Sequence, residues 1–120
     1  MQSANLVFRL FLEIAALGGF GVLTWSLFSG LWRYLAVIVV LGTLMTLWGV
    51  FAVPGDPSRS GNAPVPVPGL FRLGLELAIL LGGAYAFHRS GYNLLALTLA
   101  VLILLHYMLS TERIVWLLQQ

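Results

Sequence analysis

Four long apolar stretches divide this chain, and they leave it little choice of solvent. They run from about Leu6 to Phe28, Trp32 to Val53, Leu70 to Phe87 and Tyr92 to Leu109. A helix needs about 20 mostly apolar residues to cross the hydrocarbon core of a bilayer, and each stretch is close to that length. Hydrophobic residues make up 60% of the 120 residues and charged residues 8%. A water-soluble core of this size cannot hide so much apolar surface. Mean hydropathy of +0.97 points the same way. The predicted fold class is an all-α membrane protein: a bundle of four transmembrane helices, with the lipid bilayer as its first partner.

Breakers separate the stretches. Ser29-Gly30 and Ser90-Gly91 are short turns, so the first two helices form one hairpin (residues 1–53) and the last two another (70–109). Between them lies "PGDPSRSGNAPVPVPG", residues 54–69, which holds all five prolines. It cannot be helical, and its PVPVP end favours polyproline II, so it is expected to be an extended surface connection. Both termini then fall on one side of the membrane. The tail "STERIVWLLQQ", residues 110–120, either continues the fourth helix or forms an interfacial helix capped by Ser110 or Thr111. The first stretch lacks a basic leader and a clear small-residue cleavage site, so it is read as retained.

Aromatic residues mark two interfaces. Trp25, Phe28, Trp32, Tyr34, Phe87 and Tyr92 fall at the turn side, and Trp48, Phe51, Phe71, Tyr107 and Trp116 at the side of the termini. Arg33 and Arg89 sit at the turns; Arg59 and Arg113 sit on the other side. Adding Arg9 and Arg72 tips the balance to four against two and predicts both termini in the cytoplasm. Net charge is only +2 and no basic run exists, so nucleic acid is not an expected partner. The absence of cysteine excludes disulfides, thiolate metal sites and cysteine nucleophiles.

One charged motif occurs twice. "FRLFLEIAALGG", Phe8 to Gly19, aligns with "FRLGLELAILLG", Phe71 to Gly82, at eight of twelve positions, including Arg9 with Arg72 and Glu13 with Glu76. Chance likeness between apolar helices would match Leu and Ala, but rarely Arg and Glu in register. The repeat predicts two parallel-related hairpins about a pseudo-two-fold axis along the membrane normal. Arg and Glu at i and i+4 share one helix face. Ala15 with Gly19, and Ala78 with Gly82, form small-residue pairs expected on roughly the opposite face, where another helix can approach closely. With the charged faces turned together, Arg9 meets Glu76 and Arg72 meets Glu13. The arginines, one turn shallower than the glutamates, are expected to snorkel toward the interface.

Other polar residues fall at the same depth: Thr43, Thr46 and Trp48 on the second helix, His106 and Tyr107 on the fourth. The candidate ligand- or proton-binding residues are therefore Arg9, Glu13, Arg72, Glu76, His106, Tyr107 and Trp48. An unpaired charge at such depth costs on the order of 2–3 kcal/mol, so two Arg–Glu pairs serve equally as a brace that fixes hairpin register. Trp48 reads first as an interfacial belt residue, and His106 as a satisfied polar residue near a span end. No H-x-x-E or H-E-x-x-H spacing supports a metal site. No nucleophile motif, nucleotide fingerprint or cofactor box is present, so no catalytic residue and no cofactor are expected.

Three stretches resemble the YrdB-like family of small bacterial membrane proteins of unknown function. They are "NLVFRLFLEIAAL", like the family's opening R-F-x-x-E-L pattern; "LWGVFAVP", like its W-G-x-F-x-x-P signature; and "FRLGLELAIL", like its R-L-x-x-E-L pattern. The resemblance implies a fold, a residue set and the bacterial cytoplasmic membrane, with no established reaction. The leading reading is a small integral membrane protein whose Arg–Glu layer fixes the bundle and binds a small polar or protonatable ligand. The alternatives are an accessory or assembly subunit of a larger membrane complex, and a proton-coupled small-molecule transporter working as a homodimer. An enzyme ranks last.

Overall fold

The computed structural model describes residues 3–56 and 63–120. Arg59 and the middle of the proline-rich connection lie outside the described residues. The fold is all-helical apart from one pair of very short strands. The elements are α1 (Ser3–Leu27), α2 (Leu31–Val50), β1 (Phe51–Ala52), β2 (Val65–Pro66), α3 (Gly69–Arg89), α4 (Asn93–Leu109) and α5 (Thr111–Leu118). Three helices, α1, α2 and α3, are each long and apolar enough to cross a membrane. The fourth long helix, α4, runs on into α5 through a 72° bend.

Glycines with positive φ make the turns. Gly30 (φ 63°) lies between α1 and α2, and Gly91 (φ 89°) between α3 and α4, in a backbone region that glycine enters without steric cost.

Helix α3 is the centre of the molecule, in contact with α1, α4 and α5, whereas α2 packs chiefly on α1. No residue of α2 is buried. The core joins Leu12 and Ala16 of α1, Leu80 and Ala84 of α3, and Leu99, Ile103 and Tyr107 of α4.

The α1–α3 crossing is close because it runs over small residues. A methyl group added at Gly19 would overlap the Gly83 carbonyl, and one added at Gly83 would overlap the backbone of Ala16. This corrects the expectation of two opposite faces. The small residues sit in the same interface as the charges, one to two turns deeper. Gly19 is buried and Gly82 meets the Phe20 ring, but Ala15 is half-buried and Ala78 is exposed.

Two further expectations need correction. Helix α2 stops at Val50 rather than Val53, because proline at position 54 disfavours helix at the residue before it and clashes with the carbonyl four back. The chain then pairs Phe51 with Val65 and Ala52 with Pro66 in parallel. The described part of the connection is also not simply a surface segment: Asp56 and Gly69 are buried.

The tail does not continue α4 as one straight helix: it forms a separate helix, α5, after the bend. Ser110 occupies its N-cap position but its side chain makes no cap bond. The helix folds back over the start of α3, where Gly69 lies so near the Leu117 carbonyl that a side chain there would overlap it. It turns Arg113 and Leu117 inward and leaves Glu112, Val115 and Leu118 exposed.

Candidate functional site

Glu76 is the hub of a buried ionic cluster. It sits two turns into α3 and is fully buried. Its Oε1 accepts from three arginines on three helices: Arg9 Nη2 of α1, Arg72 Nε at 3.1 Å, and Arg113 Nη2 of α5 at 2.5 Å. Its Oε2 accepts from the Tyr107 hydroxyl of α4 at 2.9 Å. A lone carboxylate this far from water would be costly; four donors give both oxygens partners.

The surplus positive charge is met nearby. Arg113 donates twice to Asp56, at 2.7 and 3.0 Å, a bidentate pairing that fixes the guanidinium plane. Burial alone would push Arg113 down, but its bonds to Asp56 and the charge of Glu76 reverse this and hold it above its ordinary value. Arg9 Nε donates to Glu13 at 3.1 Å. The cluster thus holds Arg9, Arg72 and Arg113 against Glu13, Glu76 and Asp56, three charges of each sign. Such a balanced set avoids the cost of an unpaired ion in a low-dielectric interior.

Arg72 has a second task. Its Nη1 donates to the carbonyls of Trp48, at 2.5 Å, and Phe51, at 2.7 Å. A helix C-terminus leaves its last carbonyls without intrahelical partners and carries partial negative charge, so a cation there satisfies both needs. The expected Arg72–Glu13 pair does not form for this reason: the α2 terminus takes the Arg72 group instead. Nor do the arginines snorkel. Arg9 and Arg72 are 4% and 3% exposed, each drawn inward by Glu76.

Trp48 leaves the belt role for a place in the cluster. The Arg9 and Arg72 guanidinium carbons lie 5.4 and 4.9 Å from its ring centroid, within cation–π range. His106 is fully buried against Phe8, with ring centroids 5.4 Å apart, and neither of its nitrogens has a partner. Thr43 and Thr46 do not join. Their hydroxyls donate to their own helix, to the carbonyls of Val39 and Gly42. Among the described residues no group of three or more acidic or histidine side chains is placed to hold a metal ion.

The two glutamates of the repeated motif end in different surroundings. Both accept from the arginine four residues earlier at the same 3.1 Å. Glu76 is sealed, whereas the Glu13 side chain is 23% exposed and lines a cavity of about 270 Å³. Leu17, Leu44, Trp48 and Ile79 form its apolar walls. Leu10, Ile14 and Met45 at its rim are exposed on the outer surface between α1 and α2. A pocket that is apolar apart from one or two directed polar groups is the usual form of a small-molecule site.

Asp56 and Arg113 are the site residues that sequence reasoning missed. Arg113 had a signal: Ser110, Arg113 and Leu117 recur at helical spacing in a short amphipathic tail. Asp56 had none, since an acid in a polar connection is unremarkable.

The family model described as "Protein of unknown function (DUF2568)" matches residues 7–104. The "Uncharacterized protein YrdB" of Bacillus subtilis (strain 168) is 42% identical over 120 residues, covering 100% of this chain and 98% of that one. No solved structure matches the chain.

Proposed function

We propose that this chain, which belongs to the DUF2568 family of proteins of unknown function, is a multi-pass protein of the bacterial cytoplasmic membrane that binds a small, mostly apolar molecule bearing a cationic or hydrogen-bond-donating group. Four helices cross the bilayer, α4 being completed by the interfacial α5, and the termini and the proline-rich connection face the cytoplasm. The sealed half of the ionic cluster, around Glu76, braces the bundle. The open half, at Glu13, is the ligand site, with the cavity mouth opening sideways to lipid.

The observation that carries this reading is the contrast between two glutamates of one motif. Glu76 has four donors and no contact with solvent; Glu13 has one donor, from Arg9, and a cavity before it. An apolar cavity of about 150 Å³ holds benzene, so 270 Å³ admits an aryl-alkyl amine. Its ammonium would pair with Glu13 and its ring would lie beside Leu44 and Ile79.

The test is titration of the purified chain in lipid nanodiscs with 4-phenylbutylamine and with butylbenzene as its uncharged counterpart. The amine is expected to bind more tightly than butylbenzene, and Glu13→Gln to weaken the amine by about tenfold or more, the worth of one charge-assisted bond. Equal binding of the amine by wild type and Glu13→Gln, or no binding at all, overturns the reading.

A further inference from the structure

A second group of polar side chains lies around Glu76, on the start of α1, the end of α4 and α5. Four side chains there carry buried polar atoms with no hydrogen-bond partner: Arg9 Nη1, both ring nitrogens of His106, Ser110 Oγ and Arg113 Nε. All four residues are at most 4% exposed. Buried polar groups are nearly always satisfied, and leaving a donor without a partner costs about 1–3 kcal/mol. Five such atoms on side chains gathered around one ionic cluster call for a common explanation.

Chain geometry brings these groups together. Ser110 closes the last turn of α4, four residues after His106, and its amide donates to the Tyr107 carbonyl at 3.3 Å. The Arg113 amide donates to the Ser110 carbonyl at 3.0 Å. Phe8, next to Arg9, packs its ring on His106. Arg9 and Arg113 each extend another nitrogen to the same oxygen of Glu76.

The unmet groups are unbalanced in kind. Arg9 Nη1 offers two N–H bonds, while Arg113 Nε, Ser110 Oγ and one His106 nitrogen offer one each. Against these stand only the other His106 nitrogen and the serine lone pairs. A water molecule brings two donors of its own and accepts about two. A species that only accepts fits the surplus better.

We propose that this group of side chains binds one small monoatomic anion, chloride in the cell, together with a proton on His106. The proton follows from the charge count. From the packed elements the histidine is faced by Arg9 of α1, Glu76 of α3, Tyr107 of α4 and Arg113 of α5, whose ion pairs bring in Glu13, Arg72 and Asp56. The ionised members of that set cancel. An added anion would leave an uncompensated buried charge unless His106 becomes cationic, and protonation turns its accepting nitrogen into another donor. Anion binding therefore strengthens as pH falls, and the bound anion in turn favours the protonated ring.

The test is the thermal unfolding midpoint of the purified full chain in detergent, with chloride exchanged for gluconate at constant ionic strength. At pH 5.5 the midpoint is expected to rise with chloride and to reach a plateau; at pH 8 the rise should be much smaller. Ser110→Ala should raise the half-saturating chloride concentration about tenfold, as loss of one bond to a charged group does. His106→Phe should abolish the response. If that variant fails to fold, Ser110→Ala and crystals grown in bromide decide. An anomalous peak in contact with Ser110 Oγ supports the proposal. A midpoint indifferent to chloride at both pH values, an unchanged response in Ser110→Ala, or a bromide crystal with only water at Ser110 overturns it.

Discussion

Glu76 and Glu13 show how the same residue in the same local motif acquires different weight. Removing the charge of Glu76 leaves three buried guanidinium groups short of a shared acceptor. Breaking a buried ionic set by removing one partner costs about 3–5 kcal/mol. Glu76→Gln is therefore expected to lower stability by about that amount in reversible unfolding from mixed micelles. Glu13 has one donor and partial access to solvent, so Glu13→Gln should stay within about 1 kcal/mol. Equal losses in the two variants would contradict the assignment of brace and site. The motif residues were legible in the sequence because Arg and Glu are anomalous inside an apolar stretch, and twice over in register. Asp56 was not, because it lies in a polar segment where a charge is ordinary, and the amphipathic spacing that marks Arg113 does not name its partner. Their pairing spans 57 positions of chain, which no local pattern encodes. If the pairing contributes, Arg113→Ala and Asp56→Ala should each destabilise, and the double variant should lose less than the sum. A coupling of about 0.5–3 kcal/mol is the range for contacting charges. Strict additivity would show that the two side chains act separately.

At the scale of elements, the helices were legible and their ends were not. Apolar length gives four long helices, but the end of α2 is decided by Pro54, by pairing of Phe51–Ala52 with Val65–Pro66, and by an arginine from another helix that takes its last carbonyls. Helix α4 has 17 residues, roughly 26 Å at 1.5 Å per residue, which falls short of a hydrocarbon core of about 30 Å. If α4 crosses a bilayer, it does so only together with α5. The bend lays the amphipathic α5 across the start of α3, with Arg113 reaching inward. The contact that seats α5 is backbone on backbone at Gly69 and Leu117, and so has no side-chain signature. Gly69→Ala should lift α5 from α3 and loosen the grip of Arg113 on Glu76, with a loss of about 1–3 kcal/mol, the usual cost of overfilling a close contact. Gly74 has nothing within 4 Å of an added methyl group and lies within a helix, where alanine is favoured over glycine by up to about 1 kcal/mol. Gly74→Ala is thus the matched control and should be neutral or stabilising. Comparable losses at both positions would refute the close-contact argument.

Across the whole molecule, the repeated motif does not make equal halves. Helix α3 is wrapped by α1, α4 and α5, while α1 shares its charged side with α2, none of whose residues is buried. The second copy of the motif is thereby enclosed and the first is left at the edge facing α2. Which copy becomes which depends on α5 and the proline-rich connection, and both lie outside the repeat. That is why the repeat alone could not say which copy is enclosed and which is open. The same arrangement makes a claim about sidedness. The ionic cluster, the ends of α2 and α4, the starts of α1 and α3, and α5 all lie at one end of the bundle; the Gly30 and Gly91 turns lie at the other. If the chain crosses the bilayer four times, with the arginine excess on the cytoplasmic side, residues at the two ends must differ in access from outside. The chain has no cysteine, so single replacements report without background. In intact cells, Ser29→Cys at the exposed first turn should react with a membrane-impermeant maleimide. Gln120→Cys should react only after the membrane is opened. The reversed pattern would keep the four crossings and overturn the orientation; labelling of both positions in intact cells would overturn the crossing number itself.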